Sequence, residues 1–174
     1  MHTGIVITLT GTDRVGIVEE VSGVLLALGG NVSTSRMARL GGEFTMLMLV
    51  FLPAENAANL GGAFANLVSE GYKLTVTETA PVDTHASWAE YRVLVTGADH
   101  EGIVHEIASG LSASGITIES AETEIIEAPF SGAPLFSMRA LVLVPPTLAE
   151  AEWIGALMEA GQSADVEVEV VLEE

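Results

Sequence analysis

The sequence predicts an α+β protein built from two tandem copies of one strand–helix–strand–strand–helix–strand unit. Three observations lead to this fold class. A shift of 86 residues aligns positions 10–29 with a later segment, and ten of these twenty positions are identical. Within each copy, apolar residues alternate in some segments and recur at three- and four-residue spacing in others. Hydrophobic residues make up 49% of the 174 residues, which is enough for two small cores.

The first copy opens with a strand and a helix. "GIVITLT" is rich in β-branched residues and places Ile5, Ile7 and Leu9 on one face. The next segment carries apolar residues at the spacing of one buried helical face: Ile17, Val18, Val21, Val24, Leu25 and Leu28. We expect this helix to start near Val15 and to end at Gly29-Gly30, where glycine permits a left-handed stop.

The rest of the first copy is predicted as two strands, a helix and a closing strand. "NVSTSRMARL" is polar and suits an edge strand, and Gly41-Gly42 supplies the positive φ of a tight hairpin. "FTMLMLVFLP" is the returning strand, and "KLTVTET" closes the unit. The second helix has Gly61-Gly62 in its interior, which weakens it. Its predicted buried face consists of Leu60, Phe64, Leu67 and Val68.

This order of elements is the ferredoxin-like plan, with both helices on one face of an antiparallel sheet. The returning strand is apolar on both sides of its pleat, whereas a sheet with one solvated face should alternate. We therefore expect another such unit, in the same chain or in a second copy, to cover the free face. A homodimer is the corresponding expectation for the assembly.

The second copy keeps the order of the first from Tyr91 onward. Its hairpin "EAPFSGAPLF" is longer, because Phe44 aligns with Phe136 at an offset of 92 instead of 86. Thr147 and Glu150 have the spacing of a capping box before the second helix. "DVEVEVVL" alternates valine with glutamate, as a strand with one wet face does. The predicted organisation is a first domain at 1–81, a linker at 82–89 opened by Pro81, and a second domain at 90–174.

The net charge of −18 is unevenly distributed along the chain. Residues 1–81 hold 7 acids and 4 bases, whereas residues 90–174 hold 16 acids and 2 bases. The acidic second half repels phosphate backbones and anionic lipid. We therefore expect no direct binding of nucleic acid or membrane. We expect any effect on gene expression to act through a protein partner. A solvated acidic face kept for solubility is the simpler explanation of most of these charges.

Several site classes are absent from the sequence. There is no cysteine, and no apolar run reaches the roughly 18 residues of a membrane span, so a cytoplasmic protein is expected. No set of nucleophile, base and orienter converges, which predicts a non-enzyme without cofactor. His100 and His105 are five residues apart and no H-E-x-x-H occurs, so no metal site is expected.

The repeated loop occurs as "TGTDRVGIVEEV" and as "TGADHEGIVHEI". A phosphate loop is excluded, because Ile17 and Val18 stand where a Walker motif needs Lys and Ser or Thr. A small amino acid fits better: N–H groups around Gly16 would receive its carboxylate and Asp13 its ammonium, with an amide from Asn31. The alternative is structural, with Asp13 as a helix cap and Gly16 permitting close packing. For Asp13 and Asp99 taken alone, the cap is favoured.

These loops, with their strands and helices, resemble the opening of ACT domains, which commonly bind amino acids. The D-R-x-G-I-V form of the first loop, together with two copies and nothing else in the chain, resembles the glycine cleavage system transcriptional repressor family. The resemblance implies glycine or serine as ligand, held where two units meet side by side, and a transcription regulator or metabolic enzyme as partner. It implies these ligand positions: Asp13, Gly16, Ile17, Gly30, Asn31, Asp99, Gly102, Ile103, Ile116 and Thr117.

The second copy departs from the first at two of the positions that matter, since Thr117 replaces Asn31 and His100 replaces Arg14. Two other classes of function stay open. One is an interaction or assembly module that binds no metabolite, its loops being only caps. The other is a detached regulatory portion of a phosphatase or a formyltetrahydrofolate hydrolase, in which similar units occur.

Overall fold

The structure is a computed structural model that describes residues 2–79, 85–128 and 132–173. The chain divides into two compact units, unit 1 at Met1–Val82 and unit 2 at Asp83–Glu174. The division falls inside the predicted linker 82–89. Residues 82–84 of that linker, and Pro81 before it, lie outside the described residues.

Both units follow the predicted order of elements. Unit 1 consists of β1 (His2–Thr12), α1 (Ile17–Ala27), β2 (Asn31–Leu40), β3 (Glu43–Pro53), α2 (Ala54–Ala57), α3 (Leu60–Ala63), α4 (Ala65–Ser69) and β4 (Lys73–Thr79). Unit 2 consists of β5 (Ala89–Ala98), α5 (Ile103–Ala113), β6 (Thr117–Glu127), β7 (Pro134–Val144), α6 (Glu150–Ser163) and β8 (Val166–Leu172).

Each unit contains one four-stranded sheet in which all neighbouring strands are antiparallel. The strand order is β2-β3-β1-β4 in unit 1 and β6-β7-β5-β8 in unit 2. The polar segment "NVSTSRMARL" is the edge strand β2, as predicted. The predicted α+β class and the βαββαβ plan are therefore confirmed.

One face of each sheet packs against the helices. In unit 1, Ile5, Ile7 and Leu9 are fully or almost fully buried and belong to one core cluster with α1 and the second helical region. The helical side chains of this core are Ile17, Val21, Leu25, Leu60, Phe64 and Leu67. Unit 2 repeats the arrangement, with Ile103, Ile107 and Leu111 of α5 and Trp153 of α6 in its core. Burial of these apolar side chains is the main stabilising term for each unit.

The second helical region of unit 1 differs from the prediction of one helix. It is broken into α2, α3 and α4, of four, four and five residues. The interior Gly61 and Gly62 lie in α3, where glycine costs roughly 1 kcal/mol of helix stability relative to alanine. Val68 was predicted to be buried but is 47% exposed, because α4 turns only one face to the core. The corresponding α6 is continuous over 14 residues.

Two predictions about helix starts are wrong. Helix α1 begins at Ile17 and not near Val15, whose side chain is fully exposed. The capping box of Thr147 and Glu150 does not form, because Ala149 is the N-cap of α6 and no side chain caps it. Glu150 is then the first helical residue, one turn too early to reach back to the cap. The hairpin prediction at Gly41 and Gly42 is confirmed, with φ of 60° and 89°.

Candidate functional site

The repeated loop joins the first strand of each unit to its first helix. Gly16 is the N-cap of α1 and Gly102 that of α5, with φ of 91° and 97°, and no side chain caps either helix. The backbone there is left-handed, which favours glycine. A Cβ at either position would meet no atom within 4 Å. Each helix therefore presents an open N-terminus whose first N–H groups have no side-chain acceptor.

Ile17 and Ile103 follow these glycines and point inward. They are 3% and 1% exposed, and each belongs to the core of its unit. Their side chains therefore do not line an open site. Their main-chain N–H groups lie at the positive end of the helix dipole.

Asp13 ties the loop of unit 1 to the β2–β3 hairpin. Its Oδ2 lies 3.0 Å from Nε of Arg39, and its N–H donates to the Gly42 carbonyl over 3.1 Å. The interpretation of Asp13 as the cap of α1 is wrong, because Gly16 holds the N-cap position without a side-chain hydrogen bond. No local pattern in the sequence indicates this pair, since Arg39 is 26 positions further along the chain.

Asp99 has a different environment in unit 2. Its N–H donates to the Pro134 carbonyl over 3.2 Å, and the N-cap of α5 is Gly102, so Asp99 does not cap the helix either. In the part of the chain that the structure describes, no ion pair involves its carboxylate. The sheet register explains the difference.

The residue that matches Arg39 in unit 2 is apolar. Arg39 lies opposite Phe44, and Ile125 lies opposite Phe136. Both phenylalanines lie opposite the glycine that precedes the loop in their unit, which makes the two positions equivalent. Ile125 therefore stands where unit 1 has its arginine, and the Asp99 carboxylate has no counter-ion at that place.

A hollow borders the loop of unit 2. Its volume is about 460 Å³. It is lined by Asp99, His100, Gly102, Ile103, Val104, His105, Ala108 and Phe136. Three of the five positions predicted in this copy, Asp99, Gly102 and Ile103, are thus brought together on one open surface.

The basic side chain of the loop in unit 1 contacts two other elements. Nη2 of Arg14 lies 2.6 Å from Oε2 of Glu20 and 3.0 Å from Oε2 of Glu70. The guanidinium also lies over the Tyr72 ring, 5.8 Å from its centre, and the Tyr72 hydroxyl donates to the Thr12 carbonyl over 2.7 Å. The hydrogen bond to Glu20, and then that to Glu70, raises the pKa of Arg14 above its ordinary value.

His100 occupies the matching place in unit 2. Its Nδ1 lies 2.9 Å from the carbonyl oxygen of Glu101, and its Nε2 lies 2.7 Å from that of Ala164. The hydrogen bond to Glu101, followed by that to Ala164, raises the pKa of His100. No local signal in the sequence points to the partner of this histidine, which lies 64 residues away.

The remaining predicted positions lie at the other end of each unit. Asn31 begins β2 opposite Phe51, whereas Thr12, just before the loop, lies opposite Glu43. Eight residues of β3 separate these two pairs, or roughly 27 Å at the rise of an antiparallel strand. Gly30 adjoins Asn31 and is packed, since a Cβ there would lie 3.1 Å from the Leu25 carbonyl oxygen.

Unit 2 has the same separation. Thr117 begins β6 opposite Leu143, and Ala98 lies opposite Leu135, again eight residues apart. Ile116 is 6% exposed and belongs to the core. Within one unit, the structure therefore brings the loop residues together but does not bring Gly30, Asn31, Ile116 or Thr117 to them.

Residues 2–79, 85–128 and 132–173 contain no group of three or more His, Asp or Glu side chains able to hold a metal ion. Within these ranges, no helix is both long and apolar enough to cross a bilayer.

Known proteins share this fold over the whole chain. A crystal structure of an unknown protein from Galdieria sulphuraria is 33% identical, with 100% of both chains covered and a TM-score of 0.88. A second crystal structure, of a protein provisionally named as a glycine cleavage system transcriptional repressor, is 22% identical over 100% of this chain and 99% of that chain, with a TM-score of 0.71. No curated protein matches. The ACT-domain family model matches residues 3–72, so unit 1 contains an ACT domain.

Proposed function

We propose that this ACT-domain protein is a non-catalytic regulator that binds a small amino acid at the β5–α5 loop of unit 2 and thereby changes its affinity for a protein partner. One observation carries the proposal. Gly102 opens the N-terminus of α5 beside the Asp99 carboxylate, which has no ion pair among the described residues, and both border the 460 Å³ hollow.

The two ends of an amino acid match the two ends of this loop. Its carboxylate would accept hydrogen bonds from the N–H groups of Gly102 and Ile103, where the helix dipole favours negative charge. Its ammonium would pair with the Asp99 carboxylate, which forms a charge-assisted hydrogen bond. A small side chain fits best, and the name of the similar repressor makes glycine, followed by serine, the first ligand to test.

The loop of unit 1 would bind the same ligand more weakly. Asp13 is already paired with Arg39 there, so the ligand's ammonium must displace a guanidinium. Arg39 is 68% exposed in this pair, and such exposed pairs contribute about 0–1 kcal/mol. The resulting difference between the two loops is at most several-fold in dissociation constant.

A thermal-shift screen against the common amino acids tests the proposal. A ligand at about 100 times its dissociation constant adds roughly 2.7 kcal/mol to the free energy of unfolding. We expect Gly102→Ala to abolish the shift of unit 2, which contains both tryptophans and is followed by their fluorescence, because its Cβ occupies the approach to the N–H groups. Gly115→Ala is the matched control, since Gly115 also has a positive φ (72°) and open space, but lies at the other end of α5.

Both alanine variants should lose a similar 1–2 kcal/mol, roughly, from left-handed strain. The stability loss then cancels in the comparison, and only the ligand response differs. A Gly102→Ala protein that still responds like Gly115→Ala would contradict the site. The absence of any shift with any amino acid would instead favour the ligand-free interaction module, or the detached regulatory portion of an enzyme.

The edge strands are where we expect a protein partner or a second copy of the chain to bind. β2 and β6 each pair on one side only within their sheets, and they expose Leu40 (76%) and Ile125 (63%). Unpaired strand edges are ready sites for a further strand. Light scattering with and without the amino acid tests the predicted homodimer and its response to ligand. Nucleic acid and anionic vesicles should not bind, because the chain carries −18.

A further inference from the structure

In each unit, one basic side chain links the loop before the first helix to the turn before the last strand. Arg14 does this in unit 1 through Glu70, which follows α4. His100 does it in unit 2 through the carbonyl oxygen of Ala164, which follows α6. Arg14 and His100 are matching positions of the repeated loop, as the fifth residues of "TGTDR" and "TGADH".

The two contacted turns also match. Thr10 lies opposite Lys73 in the register of unit 1, and Thr96 lies opposite Glu167 in that of unit 2. In each unit, the residue contacted by the basic side chain lies three positions before that partner. The bridge from loop to turn is therefore one structural device with two different cations.

The geometry at His100 requires a doubly protonated ring. Both ring nitrogens face carbonyl oxygens, at 2.9 Å for Glu101 and 2.7 Å for Ala164. A carbonyl oxygen only accepts, and a neutral imidazole has a single N–H to donate. Both bonds therefore exist together only in the imidazolium. We call these two hydrogen bonds the His100 bridge.

The charged groups around His100 favour the same form. Asp165 acts on it from the α6–β8 turn, and Asp99 acts on it from its own loop. His105 of α5 is another titratable residue that lines the same hollow. Burial opposes the charge, but the two backbone hydrogen bonds, first that of Glu101, keep the pKa of His100 above its ordinary value.

We propose that protonated His100 is a positioning residue, which holds the β5–α5 loop in its ligand-binding shape and so makes amino-acid affinity at unit 2 fall as the pH rises. The sign follows from the direction of the shift. The bridge is complete below the ordinary histidine pKa of about 6.5 and is lost as the pH rises through the higher folded-state value. Arg14 keeps its charge throughout, so the loop of unit 1 has no such dependence.

The bridge is tested first without ligand. NMR should show His100 titrating above about pH 6.5, and the amide signals of Gly102 and Asp165 should move with the same midpoint. His100→Gln should abolish that movement, whereas His2→Gln, an exposed histidine of unit 1, should leave it intact. A His100 midpoint at or below 6.5, or amide signals that do not follow it, would overturn the bridge.

The ligand part rests on the proposed function and has its own readout. Amino-acid affinity, measured by calorimetry at about pH 5.5 and about pH 8, should weaken at the higher pH in the wild type only. At the site of unit 2, His100→Gln should bind weakly at both values and His100→Arg should restore strong, pH-independent binding, while the site of unit 1 stays unchanged in both variants. Equal affinity of the wild type at both values would overturn the regulatory role. If no amino acid binds at either pH, the proposed function fails, while the NMR titration still decides the bridge.

Discussion

Single residues decide how the two loops differ in their readiness for a ligand. Gly16 and Gly102 have nearly the same conformation and the same open surroundings. The aspartates three residues earlier have different surroundings. Asp13 has the guanidinium of Arg39 at 3.0 Å, whereas the matching neighbour of Asp99 is Ile125. The strongest difference between two otherwise similar loops is therefore a counter-ion supplied by the adjacent hairpin.

Exchanging Arg39 and Ile125 between the units should exchange the amino-acid affinities of the two loops. Ile125→Arg would give Asp99 a counter-ion and should weaken amino-acid binding at unit 2 several-fold, because an exposed ion pair of about 0–1 kcal/mol must then be broken. Arg39→Ile should strengthen binding at unit 1 by a similar factor. Calorimetric titration of both variants measures this, and Arg36→Ile, on the same edge strand, is the control. Unchanged affinities in both variants would show that the aspartates do not contact the ligand.

At the level of elements, the second helical region is where the repeats diverge. Unit 1 divides it into three short segments, and unit 2 builds one helix of 14 residues. Gly61 and Gly62 are both helical in α3, and a Cβ at either would meet no atom within 4 Å. These two glycines therefore lower the stability of unit 1 through backbone entropy and not through packing.

Replacing both glycines should stabilise unit 1. Gly61→Ala combined with Gly62→Ala should raise the free energy of unfolding by roughly 1–2 kcal/mol, because each substitution removes about 0.5–1 kcal/mol of helix cost. Urea unfolding followed by far-UV circular dichroism measures the change. Gly71→Ala is the contrasting variant and should destabilise, since Gly71 has φ of 100°. A double variant no more stable than the wild type would show that the breaks in this region have another cause.

At the scale of the whole molecule, charge is distributed very unequally. Residues 90–174 carry 16 of the 24 acidic side chains and only two basic ones, Arg92 and Arg139. Both are already paired, with Glu173 and with Glu124. Unit 2 therefore retains a large negative charge that repels itself in the folded state.

Salt should stabilise unit 2 more than unit 1. Raising ionic strength from about 0.02 M to about 0.2 M shortens the screening length, so like-charge repulsion weakens. Both tryptophans, Trp88 and Trp153, belong to unit 2, so fluorescence reports its unfolding, whereas circular dichroism reports both units. We expect the fluorescence midpoint in urea to rise with salt by more than the dichroism midpoint. A fluorescence midpoint that falls or stays constant would show that repulsion is not limiting.

Much of the fold could be read from local pattern alone. The alternation of Ile5, Ile7 and Leu9 and the helical spacing of Ile17, Val21 and Leu25 predicted the faces that are buried. Val18 was expected on the same helical face, but it is 43% exposed. Gly41-Gly42 predicted the hairpin, and the repeated loop pointed to the place where both helices begin without a side-chain cap. These features are local, because each depends on residues within a few positions of one another.

The exact start of a helix and the burial of a single side chain were predicted less well, although their sequence patterns are also local. The Thr147 and Glu150 pattern met the rule for a capping box, but α6 starts at Glu150 and leaves the box unformed. Val68 met the rule for a buried face, but the break in its helix turned it outward. Neither the exact start of α6 nor the exposure of Val68 follows from a local rule alone.

By itself, the sequence determined the duplication, the α+β class, the order of elements and the two glycine loops, because periodicity and turn chemistry are properties of neighbouring residues. Only the tertiary structure decided that Asp13 pairs with Arg39, that Asp99 forms no ion pair among the described residues, and that His100 reaches Ala164. Those pairs are 26 and 64 positions apart. Such pairs form only when sheet register and helix packing bring distant segments together, and a single sequence does not specify that register.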